Sequence, residues 1–266
     1  MNRKKPSKST AAKQLGVAAA SLIIVAALVA PALSAQTVDE VIAASIQARG
    51  GMEKLKAVQT RRITGKVLFG SIQAGFLILN KRPSMVREEF SLQGLSQVQS
   101  YDGHTAWQID PFGGRKDPMR MSEDDAKTLV VDADMDGPLV DYKEKGNTAE
   151  LLGHDSVEGT DCYKVKITQK DGDSFIYYLD ADTHMLLKLE TQITVRGSVQ
   201  YHETYYGDYE AVDGVYYPFA FETAQKGEAN RTKFTVDKVE VNLPANDSAF
   251  VIPEAKGSAK PAASGN

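Results

Sequence analysis

The sequence of 266 residues contains one cysteine, Cys162, so no internal disulfide can form and the fold must be held by its core. Histidine is scarce as well. His104, His154, His184 and His202 lie at turns or in strand-like runs, and no two of them have metal-ligand spacing. His202-Glu203 is followed by Thr-Tyr-Tyr, so the zinc-protease pattern is missing. G-x-S-x-G, phosphate-cradling glycine loops and G-x-G-x-x-G are also missing, and no local pattern marks a nucleophile. Distant residues assembling a Ser-His-Asp set remain open, because triads are defined by geometry. No propeller-sized repeat is present.

Positive charge is short once the first 35 residues are set aside. Those hold Arg3, Lys4, Lys5, Lys8 and Lys13 and no acid, which leaves 26 basic against 35 acidic residues and a net charge of about −9. Such a chain is a poor partner for nucleic acid. The same 35 residues have the layout of an export signal: a basic start, the apolar run Val17 to Ala30, Pro31, and the small-residue exit Ala32-Leu33-Ser34-Ala35. Cleavage is expected near Gln36. An uncleaved anchor is the alternative, since Leu15 to Leu33 is just long enough to span a bilayer. No cysteine follows the apolar run, which excludes a lipid-modified amino terminus there. The expected organisation is a cleaved signal peptide over 1–35, one domain over 36–252, and a solvated tail of Ala, Lys, Ser, Gly and Pro over 253–266.

The domain opens with two helical signals. Thr37 and Glu40 form a capping box, and Val38, Val41, Ile42, Ser45 and Ile46 share one helical face. Gly50-Gly51 ends that helix, and Met52 to Val58 reads as a second, short one. From Arg61 the hydrophobic period becomes two, with short turns between runs, and connections that short permit only antiparallel neighbours. The meander breaks at Pro111-Phe112-Gly113-Gly114. A third helix is expected from Ser122 to about Asp132, with Leu129 and Val130 turned inward, and the strand pattern resumes after Pro138.

The pattern therefore predicts an α+β, mainly β protein: an incomplete antiparallel β-barrel of about 11–12 strands with helices covering its concave apolar face. Cys162, in an alternating run, reads as a small buried hydrophobe. Asp132, Asp134, Asp136 and Gly137 begin like a calcium loop, but Lys143 stands where the bidentate glutamate belongs and Pro138 follows the glycine. An acidic helix exit is the expected reading, and no metal, cofactor or catalytic residue is predicted.

Apolar residues occupy both faces of several strands. Ile72-Gln73-Ala74-Gly75-Phe76-Leu77-Ile78-Leu79 has none of the polar alternation of a one-sided sheet, and similar density recurs at 175–179 and 215–221. Core packing under helices accounts for this, and so does an apolar cavity open to a hydrophobic guest.

Several segments resemble the outer-membrane lipoprotein-sorting, or LolA-like, family. They are Ala48-Arg49-Gly50-Gly51-Met52-Glu53-Lys54-Leu55, Tyr101-Asp102-Gly103-His104-Thr105-Ala106-Trp107, Gly137-Pro138-Leu139-Val140-Asp141-Tyr142, Leu152 to Val165, Tyr178-Leu179-Asp180, Asp208-Tyr209, and Val212-Asp213-Gly214-Val215-Tyr216-Tyr217-Pro218. The resemblance implies a helix-lidded incomplete barrel acting as a periplasmic, non-enzymatic carrier that shields the acyl chains of lipoproteins or lipids. It also implies membrane-protein partners at the inner and outer membranes, and a monomer. Candidate cavity residues are Phe69, Phe76, Ile78, Phe90, Trp107, Leu129, Val130, Phe175 and Tyr177. A lipid-sensing regulatory domain acting through a membrane protein would share the cavity, and an exported hydrolase is the rival from another class.

Overall fold

The computed structural model describes residues 36–253; the expected signal peptide and all but the first residue of the expected tail lie outside the described residues. Helix α1 (Val38–Ala48) starts at Thr37, whose Oγ1 accepts from the Glu40 amide while the Glu40 carboxylate accepts from the Thr37 amide. This is the capping box expected from the sequence. Helix α2 (Met52–Ala57) follows Gly50-Gly51. Gly50, at φ 120°, lies so close to the Asp213-Gly214 turn that a Cβ there would sit 2.3 Å from the Gly214 carbonyl oxygen. Glycine is thus what lets the α1–α2 corner rest on that turn.

Thirteen strands and one further helix complete the described residues. The first arm is β1 (Thr60–Phe69), β2 (Ile72–Lys81), β3 (Met85–Leu92), β4 (Leu95–Tyr101), β5 (Ala106–Asp110) and β6 (Arg115–Arg120). Helix α3 (Glu123–Asp132) leads to the second arm: β7 (Thr148–Val157), β8 (Thr160–Thr168), β9 (Ser174–Asp180), β10 (Leu186–Val195), β11 (Ser198–Val212), β12 (Val215–Gln225) and β13 (Thr232–Val241). All pair antiparallel in one sheet of order β6-β5-β4-β3-β2-β1-β13-β12-β11-β10-β9-β8-β7. Each arm is a hairpin meander, and the arms are joined where β1 pairs with β13, Arg61 opposite Val241 and Ile63 opposite Val239.

The sheet is open, with β6 and β7 as its free edges, and α3 lies on the connection between those edges. The helix touches β3, β4 and β5 on one arm and β10 on the other. Strands that far apart in sheet order can meet one helix only if the sheet curls around it, so the helix defines a concave side. All three helices pack there. Val41 and Ile42 of α1 meet Phe175, Tyr177 and Leu179; Leu55 of α2, with Val58, meets Val215, Tyr217 and Val236; Ala126 and Leu129 of α3 meet Val86 and Ala106.

Three sequence expectations need correction. The sheet has thirteen strands rather than 11–12, because β6, Arg-Lys-Asp-Pro-Met-Arg, pairs only with β5 and carries no apolar alternation to reveal it. Edge strands tolerate proline and charge because one of their sides has no ladder to complete. Val130 does not turn inward with Leu129. It is 42% exposed, and α3 packs instead through Ala126, Leu129 and Ala133. Trp107 lies on the convex side. After β13 the chain crosses that side through a short 3-10 turn, Asp247–Ala249, and Phe250 is fully buried against the sheet. The Trp107 indole Nε1 donates to the Phe250 carbonyl at 2.6 Å, and Ser100 Oγ donates to the same oxygen. Cys162 is buried as expected.

Candidate ligand-binding hollow

Strand alternation places Ile63, Gly65, Val67 and Phe69 of β1 on the concave side, opposite Ile78, Phe76, Ala74 and Ile72 of β2. The next rows continue the face through Glu88 and Phe90 of β3, Gln97 and Gln99 of β4, Phe234 of β13, Phe221 of β12 and Tyr206 of β11. Gly65 has a specific task in this wall. A Cβ there would come within 2.7 Å of the Phe76 ring, so glycine lets that ring lie across β1. Phe76 then stands edge-on to Phe234 and Phe221, at centroid distances of 5.5 and 6.1 Å, while Phe221 and Phe234 stack at 4.5 Å. Phe90 joins Phe234 at 6.3 Å and Phe69 joins Phe90 at 6.5 Å. These offset and edge contacts are the geometries aromatic quadrupoles favour.

The wall is only partly roofed. Phe76 and Val67 are buried, but Ile63, Ile78, Phe90, Phe219, Phe221 and Phe234 stay half-buried between the three helices. At one end a cavity of about 290 Å³ opens among Phe69, Ala74, Glu88, Phe90, Leu92, Gln97, Gln99 and Phe112. Its rim is formed by the β1–β2, β3–β4 and β5–β6 hairpin tips, which all fall at the same end of a meander. Those tips carry Leu68, Phe69, Ile72, Leu95 and Phe112, all exposed. Clustered exposed apolar residues next to an apolar cavity mark a binding mouth better than scattered ones do.

The hollow also contains charge. Arg61 donates to Asn80 Oδ1, and Asn80 Nδ2 donates to the Asp132 carbonyl, so β1, β2 and the end of α3 are tied together. Desolvation pushes the Asp132 and Glu88 carboxyls above the usual carboxylate range; the negative charge of Asp132 adds to this at Glu88, and Arg61 offsets part of it at Asp132. Asp134 pairs with Lys145, and Asp136 with Arg82 and Lys56. Two aspartates of the acidic helix exit, Asp134 and Asp136, are thus spent on separate lysine and arginine partners rather than on a shared site. Among the described residues no group of three metal-binding side chains is placed to hold an ion.

Of the residues singled out from sequence, Phe69, Phe76, Ile78 and Phe90 meet in this wall. Phe175 and Tyr177 share its face but lie buried beneath α1, and Leu129 lies buried beneath α3. Val130 borders a separate polar cleft with Lys127, Asp171 and Asp173, and Trp107 stands on the opposite face. Sequence reasoning missed Tyr206, Phe221, Phe234, Glu88, Gln97, Gln99 and Phe112. The alternation Val215, Tyr217, Phe219, Phe221 is the signal for β12, whereas Phe234 sits alone among polar neighbours and only its pairing shows its role.

The profile of a family described as "uncharacterized protein" matches residues 75–252. No curated protein sequence matches the chain. Among solved structures, the chain is similar to a DUF1329 family protein from Desulfovibrio piger, with TM-score 0.56 and 14% identity over 82% of this chain and 98% of that one. It is similar to a LolA superfamily protein from Nitrosomonas europaea, with TM-score 0.55 and 13% identity over 82% and 98%. An outer-membrane lipoprotein-sorting protein domain from Vibrio parahaemolyticus gives TM-score 0.53 and 11% identity over 80% and 97%. At these identities the likeness is one of fold.

Proposed function

Because the chain belongs to that family of uncharacterized proteins and has the LolA-superfamily fold, we propose that it is a non-enzymatic periplasmic carrier that holds acyl chains of lipoproteins or lipids in its concave hollow. The observation that carries this reading is the wall of Phe69, Phe76, Phe90, Phe221 and Phe234, continuous in space yet left half-roofed by the helices. A protein that needed only a core would cover such a wall. An acyl chain that leaves water for the hollow gains about 0.8 kcal/mol per methylene, which is enough for soluble transport without any chemical step.

In this reading residues 1–35 direct export and are removed near Gln36, and residues 36–252 form one carrier domain that works as a monomer. Phe69, Phe76, Ile78 and Phe90 contact the acyl chain together with Phe221 and Phe234. Loading and release occur at the apolar rim, driven by whichever membrane or partner protein binds the chain more tightly.

Native mass spectrometry of the mature protein purified from a periplasm tests this. The expected result is a discrete added mass that solvent extraction resolves into phospholipid or acylated peptide. Bare protein that also fails to bind a fluorescent acyl probe would overturn the carrier reading.

A further inference from the structure

The cavity at the mouth of the hollow has a carboxyl group that nothing in the protein answers. Glu88 projects from the middle of β3, with Gln99 directly across the β3–β4 ladder and Phe90 and Gln97 forming the next pair. Glu89, its neighbour on the convex face, is paired with Arg87, but Glu88 has neither an ion pair nor a hydrogen bond among the described residues. The charged group that acts on it is Asp132 at the end of α3, which is also an acid. Arg61 is committed to Asn80 and faces Asp132. A carboxylate in partly desolvated surroundings is costly unless a cation or a donor meets it. Burial, helped by Asp132, raises the Glu88 pKa to about 8, so the group keeps its proton near neutral pH and gives it up to solvent when a cation arrives.

The remaining walls favour the same kind of guest. Phe69, Phe90 and Phe112 present three aromatic rings around one small space, and the faces of such rings attract organic cations. Gln97 and Gln99 add carboxamide oxygens able to accept from N–H groups. Past Phe90 the wall continues without interruption to Phe234 and Phe221, which gives an alkyl tail a surface to lie on.

We propose that this cavity is a head-group subsite for an organic ammonium ion, held by Glu88 within the Phe69, Phe90 and Phe112 rings, whose attached alkyl chain runs along the phenylalanine wall. For the tail this rests on the carrier reading; the head-group selection rests on the cavity itself. Where Glu88 and Asp132 are ionised, an anionic head meets them as like charges, so the site then discriminates by repulsion as well as attraction.

Calorimetric titration of the mature protein at pH 9, above the Glu88 pKa of about 8, with decyltrimethylammonium, decyl maltoside and decyl sulfate, each below its micelle concentration, tests the proposal. The ammonium amphiphile is expected to bind at least about tenfold more tightly than the sulfate, with the neutral one between them. The acidic surface attracts any cation, so the decisive comparison is Glu88→Gln, which removes one charge at constant shape. That variant, checked for an unchanged melting temperature, is expected to bring the three affinities within about twofold while still binding all of them. Phe90→Ala is expected to weaken all three.

Tetramethylammonium, the head without its tail, is expected not to compete at the same concentration; equal competition would overturn the amphiphile assignment in favour of a small free cation. Equal affinities in the wild type, or a preference untouched by Glu88→Gln, would overturn the subsite and leave the carrier reading standing. No binding of any of the three would overturn both.

Discussion

Asp136 is 7% exposed and accepts from Arg82 through both carboxylate oxygens, at 2.8 and 2.7 Å, while Lys56 donates to it from the other side. Arg82 also donates to the carbonyls of Leu55 and Val58, so this one carboxylate fastens the end of α2 to the exit of α3. Burial opposes its ionisation, but the hydrogen bonds from Arg82 and Lys56 outweigh that and bring its pKa down to about 2. A depressed folded-state value stabilises the fold above the ordinary aspartate range, and the stabilisation is lost as pH falls from about 4 through 2. Urea midpoints measured across that window should fall with pH. Asp136→Asn, which leaves Arg82 without a carboxylate while Lys56 keeps Asp141, should cost about 3 kcal/mol at pH 7 and flatten the acid slope. At this scale the sequence is readable only where a residue's face is unambiguous. Phe76 and Phe90 sit in runs whose parity is clear. Trp107 sits in Ala106-Trp107-Gln108-Ile109, where apolar residues occur at both parities, and a one-residue change of parity moves a side chain to the other side of the sheet.

The segment after β13 belongs to the convex face. Its backbone supplies the carbonyls that Trp107, Ser100 and Arg87 donate to, and Phe250 supplies the apolar cover. Phe250→Ala should lower stability by about 3–5 kcal/mol and shift the emission of Trp107, the sole tryptophan, to the red. Acyl ligands should leave that emission unmoved, because a whole sheet separates the indole from the hollow; a shift on ligand binding would refute this placement. Elements with a strong period are legible from the residues alone. The capping box marks α1, Ser122 marks the start of α3, and the Gly and Asp-Gly punctuation marks most hairpins. β6 is not legible, since its residues bury almost nothing and its existence depends on the neighbour β5.

On the scale of the whole molecule, hairpins can be read from short turns, but the pairing of β1 with β13 cannot, because it joins segments from the two ends of the domain. Without that junction the sequence yields two meanders and no hollow. The open edges carry a prediction of their own. β6 is protected by Arg115, Lys116, Asp117 and Pro118, which resist pairing with a second sheet edge. Replacing Lys116 and Pro118 together with valine should leave the melting temperature within a few degrees but produce concentration-dependent association in sedimentation velocity. The gap those residues guard has a mechanical meaning. In a closed barrel, strand number and stagger fix the radius. Among the described residues α3 and the chain after it span the seam between β6 and β7, and no ladder of backbone bonds there sets the girth. Slight untwisting spread along thirteen strands would widen or narrow the concave side while every rung stayed intact, so in the carrier reading the calibre would follow the guest.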